Sequence, residues 1–221
     1  MNTILVSLKR ATDRREEMRS QLSKLDINAI IMDAVDGLSL SDTQLNKTIH
    51  NPGGWRTGEK FRPGEIGCTM SHIKAINIAK ENNWEYVILL EDDIIICEDF
   101  NKRLDLLFKM VPKNWEHIFL SGHPYGYSPL IVPSCIPSTF KMSGTYSYIL
   151  RNIAYEKTLN KLMMMEVPTD DIYEQLIIRD RKLISYTFFP FFTYPKLDYS
   201  YIWDETGDGN HPSFKLFKNK M

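Results

Sequence analysis

Residues 87–100 read VILLEDDIIICEDF. Four apolar residues, Val87 to Leu90, run straight into Glu91, Asp92 and Asp93, and Ile94 to Ile96 follow at once. Acids rarely sit between two hydrophobic runs, because a buried carboxylate needs a partner. EYVILL, residues 85–90, is short and apolar and predicts a buried strand. In an open α/β sheet, ligands bind outside the carboxyl ends of the strands, and the three acids fall at that end. Two carboxylates about 5 Å apart repel by roughly 3 kcal/mol at an effective dielectric near 20. Three in a row therefore call for a cation or for protonation. On an extended chain Glu91 and Asp93 share a face and Asp92 points the other way. Oxygen ligands alone suit Mg2+ or Mn2+ rather than zinc. The bland alternative is a solvated strand-to-turn junction, which the flanking apolar runs disfavour. Glycosyl transfer, nucleotidyl transfer and phosphate hydrolysis all remain open on these residues alone.

The pattern on either side fits the same sheet. TILVSL (3–8) predicts a strand, and a helix follows in which Met18, Leu22 and Leu25 fall on one face. Asp13 and Glu16 have the spacing of a capping box at its start. NAIIMDAV (28–35) reads as a second strand and ends in the turn signal Asp36-Gly37. A β-α-β unit in so short a stretch favours an α/β fold with parallel strands. Residues 38–63, rich in Gly and Pro, predict a long functional loop. A helix is expected over about 65–81, with Ile66, Met70, Ile73 and Ile76 at helical spacing. Further strands are expected at 117–122, 144–150 and 183–192, the last interrupted by Pro190, and a helix at 152–165. The four prolines between 123 and 139 predict a loop.

The chain of 221 residues is long enough for one large domain with its own core. The apolar share is 43%, the charged share 25%, and the formal net charge −1, so no overall field points to nucleic acid. A run of about 18 apolar residues is absent, and no membrane-spanning helix is expected, although peripheral membrane contact stays open. The first residues lack a basic stretch before a short apolar run, so a signal peptide is not expected. Cys68, Cys97 and Cys135 form no CxxC pair, which fits a reducing, cytosol-like compartment. KLFKNK near the C-terminus reads as a basic tail.

Taken in order, LKRATDRREEM (8–18), AVDG (34–37), RPGEIGCTMSHIKA (62–75), LLEDD (89–93), GTYSYIL (144–150), VPTDD (167–171) and FTYPKLDYSYIWDE (192–205) resemble glycosyltransferase family 25. That family includes bacterial lipopolysaccharide galactosyltransferases and collagen hydroxylysine galactosyltransferases. The resemblance spans nearly the whole chain, and its last stretch is nearer the collagen-modifying branch. It implies a GT-A type α/β fold, with a Rossmann-like, mostly parallel central sheet flanked by helices. It implies a UDP-sugar donor, galactose first, with glucose or N-acetylglucosamine also open. It further implies Mn2+ or Mg2+, inversion at the anomeric carbon, and a glycan or glycosylated-protein acceptor. On that reading a nucleotide-sugar part spans about 1–100, an acceptor part about 101–211, and the tail 212–221.

The resemblance places Leu8, Lys9, Arg10, Arg14, Asp36, Gly37, Glu65, His72 and Asp92 at the donor, with Arg15 a weaker candidate. Gly64 and Gly67 are expected to let backbone approach a phosphate near a helix start. The metal candidates are Asp93 first, then Glu91, with His211 closing the site from the far end of the chain. The general base candidates are Asp170, then Asp171, then Asp204, since inversion needs a carboxylate to take the acceptor hydroxyl proton. Each has an ordinary alternative: a charged first helical turn, a plain turn at Asp36-Gly37, a structural histidine, a helix cap at Asp170. Tyr199, Tyr201 and Trp203 alternate and suit a sugar face, though core packing is the commoner use. A nucleotidyltransferase or phosphohydrolase, and a non-catalytic nucleotide-sugar binder, stand as the other readings.

Overall fold

The computed structural model describes residues 1–45, 58, 60–128 and 130–196. In chain order the elements are β1 (Thr3–Ser7), α1 (Thr12–Lys24), β2 (Ala29–Asp33), a 3-10 turn (Gly37–Ser39), α2 (Asp42–Leu45), α3 (Pro63–Glu81), β3 (Tyr86–Glu91) and β4 (Ile94–Ile96). There follow α4 (Phe100–Met110), β5 (His117–Phe119), β6 (His123–Pro124), β7 (Ser134–Pro137), β8 (Met142–Ser143) and β9 (Ser147–Arg151). The described chain ends with α5 (Asn152–Met164), α6 (Thr169–Glu174), β10 (Ser185–Phe189) and β11 (Thr193–Pro195).

The central sheet has seven strands in the order β2-β1-β3-β9-β5-β10-β7. β1 pairs in parallel with both β2 and β3, and β10 pairs in parallel with β5. β9 runs antiparallel between β3 and β5, and β7 antiparallel on the edge beside β10. Five strands therefore share one direction, which is the mostly parallel α/β sheet that the strand-helix alternation predicts.

Strand alternation divides the core into two layers. Ile4, Val6, Val87 and Leu89 pack with Ala75, Ile76 and Ala79 of α3 and with Leu159 and Leu162 of α5. Leu5, Ile88 and Leu90 pack on the other face with Met18 and Leu22 of α1 and with Leu104 and Leu107 of α4. β3 is buried on both faces, as expected of an inner strand with helices above and below. Its near-continuous apolar run is the reason it is the clearest strand in the sequence.

Several expectations are corrected in detail. The capping box at Asp13 is not formed: Ala11 occupies the N-cap of α1, and Asp13 is exposed. The carboxylate cap belongs to α3 instead, where Glu65 accepts the Arg62 backbone N–H at 2.8 Å. The 144–150 strand starts at Ser147, because Gly144 turns the chain with φ +83. Residues 123–139 contain two short strands rather than loop alone. Pro137 ends β7 on the sheet edge, where a missing N–H costs no ladder bond. Pro190, after a cis peptide bond, separates β10 from β11, which pairs with the three isoleucines of β4. Of the long 38–63 loop, the described part holds the end of the 3-10 turn and α2.

Two glycines press α3 against the end of β2. A Cβ on Gly37 would lie 1.8 Å from the Pro63 carbonyl oxygen, and one on Gly67 would lie 2.6 Å from the Val35 carbonyl oxygen. Both obstacles are backbone, so neither can move aside cheaply. Gly37→Ala should lower stability by about 1–3 kcal/mol, the usual cost of forcing extra volume into packed structure. Thermal melts of the variant should show this as a fall in Tm of roughly 2–4 °C per kcal/mol. An unchanged Tm would mean that the two segments are not in close contact.

Candidate active site

A cleft opens at the carboxyl ends of β1, β2 and β3. It is lined by residues of the β1-α1 junction (Ser7, Leu8, Arg10, Arg14), by Asp36 and Gly37, by Cys68 and His72 of α3, and by Glu91, Asp92 and Asp93. The acid triplet thus sits where the strand pattern predicts, and its members diverge as strand alternation requires. Glu91 continues the face of Val87 and Leu89 and meets α3: its Oε1 lies 3.2 Å from His72 Nε2 and accepts from Thr145 Oγ1 at 2.7 Å. Asp92 continues the face of Ile88 and Leu90 and meets α1, accepting from Ser7 Oγ at 2.5 Å and from Arg14 at 3.2 Å.

Asp93 is held differently. Arg14 stands 4.0 Å away, and Asp93 Oδ1 is shut off from solvent with no hydrogen-bond partner among the described residues. Burial, followed by the charge of Glu91, pushes the Asp93 carboxyl above its ordinary value, and Arg14 pulls it down by less. The described residues lining the cleft carry four carboxylates, Asp36, Glu91, Asp92 and Asp93, against two guanidiniums, Arg10 and Arg14. A diphosphate would add more negative charge. The site therefore fits a hard dication, and the orphaned Asp93 oxygen is the acceptor it would use first. Lys196 donates its backbone N–H to the Asp93 carbonyl at 2.7 Å, so the described chain ends beside the triplet.

The other donor candidates sort by what they touch. Arg10 pairs with Asp36 at 2.6 Å, and both border the cleft. That pairing holds the Asp36 carboxyl below its ordinary value. Leu8 lines the cleft, whereas Lys9 is exposed and outside its lining. Arg15 turns away to Ser7 O, Leu8 O and Asp33, clamping the ends of β1 and β2. Glu65 is buried in the α3 cap and does not line the cleft. Gly37 and Gly64 line it, but the close contacts of Gly37 and Gly67 are with protein backbone rather than with ligand space. Ser71 ties α3 to β2 by accepting the Val35 N–H at 2.8 Å. Asp204, His211, Tyr199, Tyr201 and Trp203 lie outside the described residues.

Asp170 approaches from α6. Thr169 Oγ1 lies 2.9 Å from Thr69 Oγ1 and donates to Cys68 Sγ at 3.7 Å, which seats the start of α6 on α3. Asp170 Oδ2 accepts the Gly144 N–H at 3.1 Å, and Oδ1 accepts the Asp171 N–H at 3.0 Å. Burial raises its carboxyl despite these bonds. Burial chiefly, and then the charges of Glu91, Asp93 and Asp170, push up the Tyr146 phenol and the Cys68 thiol, while Asp170 is not itself among the cleft-lining residues. Asp171 faces Lys141 at 3.5 Å.

Sequence reasoning did not single out Thr145, Tyr146, Tyr148 or Ser7. Three of them lie in GTYSYIL, which reads as a strand and as part of the resemblance with no residue given a role; the loop that precedes β9 brings Thr145 and Tyr146 to the triplet. Tyr146 O accepts the Glu91 N–H at 2.9 Å, and the Tyr148 hydroxyl meets His72 Nδ1 at 2.8 Å.

This is the architecture of a GT-A type fold: a parallel α/β half whose strand ends carry an acid cluster. Residues 1–127 match the model of glycosyltransferase family 25 (LPS biosynthesis protein), and the chain belongs to that family. It is 32% identical over 123 residues to procollagen galactosyltransferase 2 of Mus musculus, a match that takes in 52% of this chain and 20% of that protein. It is 30% identical over 123 residues to inactive glycosyltransferase 25 family member 3 of Mus musculus, covering 21% of that protein. The chain thus spans about a fifth of the length of these relatives. A glycosyltransferase involved in glycosylation of the major capsid of PBCV-1 shares the fold, with a TM-score of 0.50 and 12% identity over 84% of this chain and 79% of that one.

The Asp171 carboxyl is raised from 3.8 to about 6, chiefly by burial and then by Asp170, with Lys141 opposing. The native state binds this proton more tightly than the unfolded chain does. Its contribution to stability is therefore full below about pH 4 and lost as the pH rises through about 6. Asp171→Asn removes that dependence. Melts across this range should show the variant gaining on the wild type as pH rises, and a constant difference would contradict the raised carboxyl.

Proposed function

We propose that the chain is a metal-dependent, inverting glycosyltransferase that moves a hexose, galactose first, from a UDP-sugar to an acceptor hydroxyl. The observation that carries this is the cleft itself: an acid surplus around an Asp93 oxygen that has no partner among the described residues. Family membership alone does not decide activity, since relatives named as inactive match about as well as those named as galactosyltransferases.

In this reading Asp93, with Glu91, holds Mn2+ or Mg2+, which neutralises the leaving diphosphate. Arg14 lines the cleft beside Asp92 and Asp93 and would place a positive charge near phosphate. Asp36 and Arg10 border the nucleoside end. Asp170 takes the acceptor proton, its geometry fixed by the Gly144 and Asp171 N–H groups and its basicity raised by burial. Residues 1–100 then serve the donor and the later half the acceptor, a glycan or a hydroxylysine-type side chain.

A screen of UDP-sugars should find UDP release that needs Mn2+ or Mg2+. Asp93→Asn should abolish the metal stimulation. Asp170→Asn should lower kcat about 10²- to 10⁴-fold with UDP binding retained, as for loss of a general base. Undiminished, metal-independent turnover in Asp93→Asn would remove the metal role. Tight UDP binding without turnover on any donor would instead make the chain a nucleotide-sugar binder.

A further inference from the structure

Cys68 and His72 stand four residues apart on α3, one turn along a single helix face, and both line the cleft. Glu91 closes on them from the end of β3. One ligand atom from each of the three lies within 4.8 Å of the others. We propose that these residues form a binding site for a thiophilic divalent cation of the Zn2+ class, which adjoins the hard-ion position at Asp93 and shares the Glu91 carboxylate with it.

The donor set decides the ion. A thiolate, an imidazole nitrogen and a carboxylate oxygen are the ligand types of four-coordinate zinc with one open position. Mg2+ and Mn2+ instead prefer six oxygens. Bonds of about 2.0–2.3 Å around a tetrahedral ion place ligand atoms about 3.3–3.8 Å apart. His72 Nε2 and Glu91 Oε1 already stand at 3.2 Å, so a small adjustment of the Cys68 side chain completes the set.

The surrounding hydrogen bonds fit a metal site better than a chance cluster. Each of the three ligands has its own outer partner. The Tyr148 hydroxyl meets His72 Nδ1 at 2.8 Å, leaving Nε2 for the ion. Thr145 donates to Glu91 at 2.7 Å, and Thr169 donates to Cys68 at 3.7 Å. Outer partners of this kind orient ligating side chains and strengthen binding. The nearby charges of Asp93 and Asp170 also attract a dication.

Co2+ serves as the spectroscopic probe on the full chain, and the readout is independent of turnover. One Co2+ per chain should give a thiolate charge-transfer band and the intense visible bands of four-coordination. Zn2+ should displace it at stoichiometric concentration and excess Mg2+ should not. Cys68→Ser and Cys68→Ala should each lose the charge-transfer band, while Cys97→Ser and Cys135→Ser keep it. Tyr148→Phe should weaken binding about 10- to 100-fold. In the unmodified chain, Zn2+ should protect Cys68, and not Cys97 or Cys135, from alkylation mapped by mass spectrometry. A weak six-coordinate spectrum, a band that survives loss of Cys68, or equal alkylation with and without Zn2+ would overturn the site.

Discussion

A strand buried on both faces has to end in three carboxylates, and the rest of the molecule is arranged around that demand. β3 brings Val87 to Leu90 through the centre of the sheet and delivers Glu91, Asp92 and Asp93 to its edge. Alternation sends Glu91 to the α3 side and Asp92 to the α1 side, and each helix supplies a matching group there, His72 and Arg14. A slip of one residue would exchange the two faces, setting Glu91 against Arg14 and an apolar side chain against His72. The register of β3 against β1, with Leu90 opposite Leu5, is thus set by the core and read out in the site.

The second constraint is the height of α3 over the sheet. Helices usually pack about 8–10 Å from their neighbours. Here the absence of side chains at Gly37 and Gly67 lets the start of α3 touch the turn after β2. Ser71 pins the same helix to Val35. With α3 drawn in at this end, residues 68 and 72 on its inner face come level with the end of β3. Gly67, one of the two glycines expected to let backbone approach a phosphate, is pressed against Val35 and Gly37, and the helix in turn brings side chains to the cleft.

Much of this was legible in the sequence where the signal is local. Apolar runs bounded by charge revealed β1, β2 and β3, and helical spacing revealed α1 and α3. The resemblance supplied the order of the motifs. Strand direction was not legible: β9 has the same composition whether it runs parallel or antiparallel, and only its pairing between β3 and β5 decides the matter. Arg10, Arg14 and Arg15 likewise look alike in LKRATDRR, yet Arg15 clamps strand ends while Arg10 and Arg14 line the cleft. The cap spacing at Asp13 goes unused, because Ala11 is the N-cap of α1 and its N–H is already taken by the Leu8 carbonyl, whereas the Arg62 N–H at the start of α3 is taken by Glu65. Asp170 depends on contacts more than 20 residues away, to Gly144 and through Thr169 to Thr69, which no local pattern encodes.

Charge separates catalysis from mere binding. A module that only held a nucleotide diphosphate would gain by lining the cleft with cations, since every carboxylate there repels the ligand. This cleft keeps four carboxylates against two guanidiniums and buries one oxygen of Asp93 without a partner among the described residues. Such an arrangement raises the electrostatic cost of the empty cleft, and on the proposed reading a dication entering with the ligand would offset it. On the proposed reading, the raised carboxyls at Asp93 and Asp170 have two different tasks: the first would be relieved by a metal, while the second, fixed by two backbone N–H groups, would exchange a proton. Neither carboxylate belongs to the two core layers, so on the proposed reading the fold and the chemistry rest on different residues.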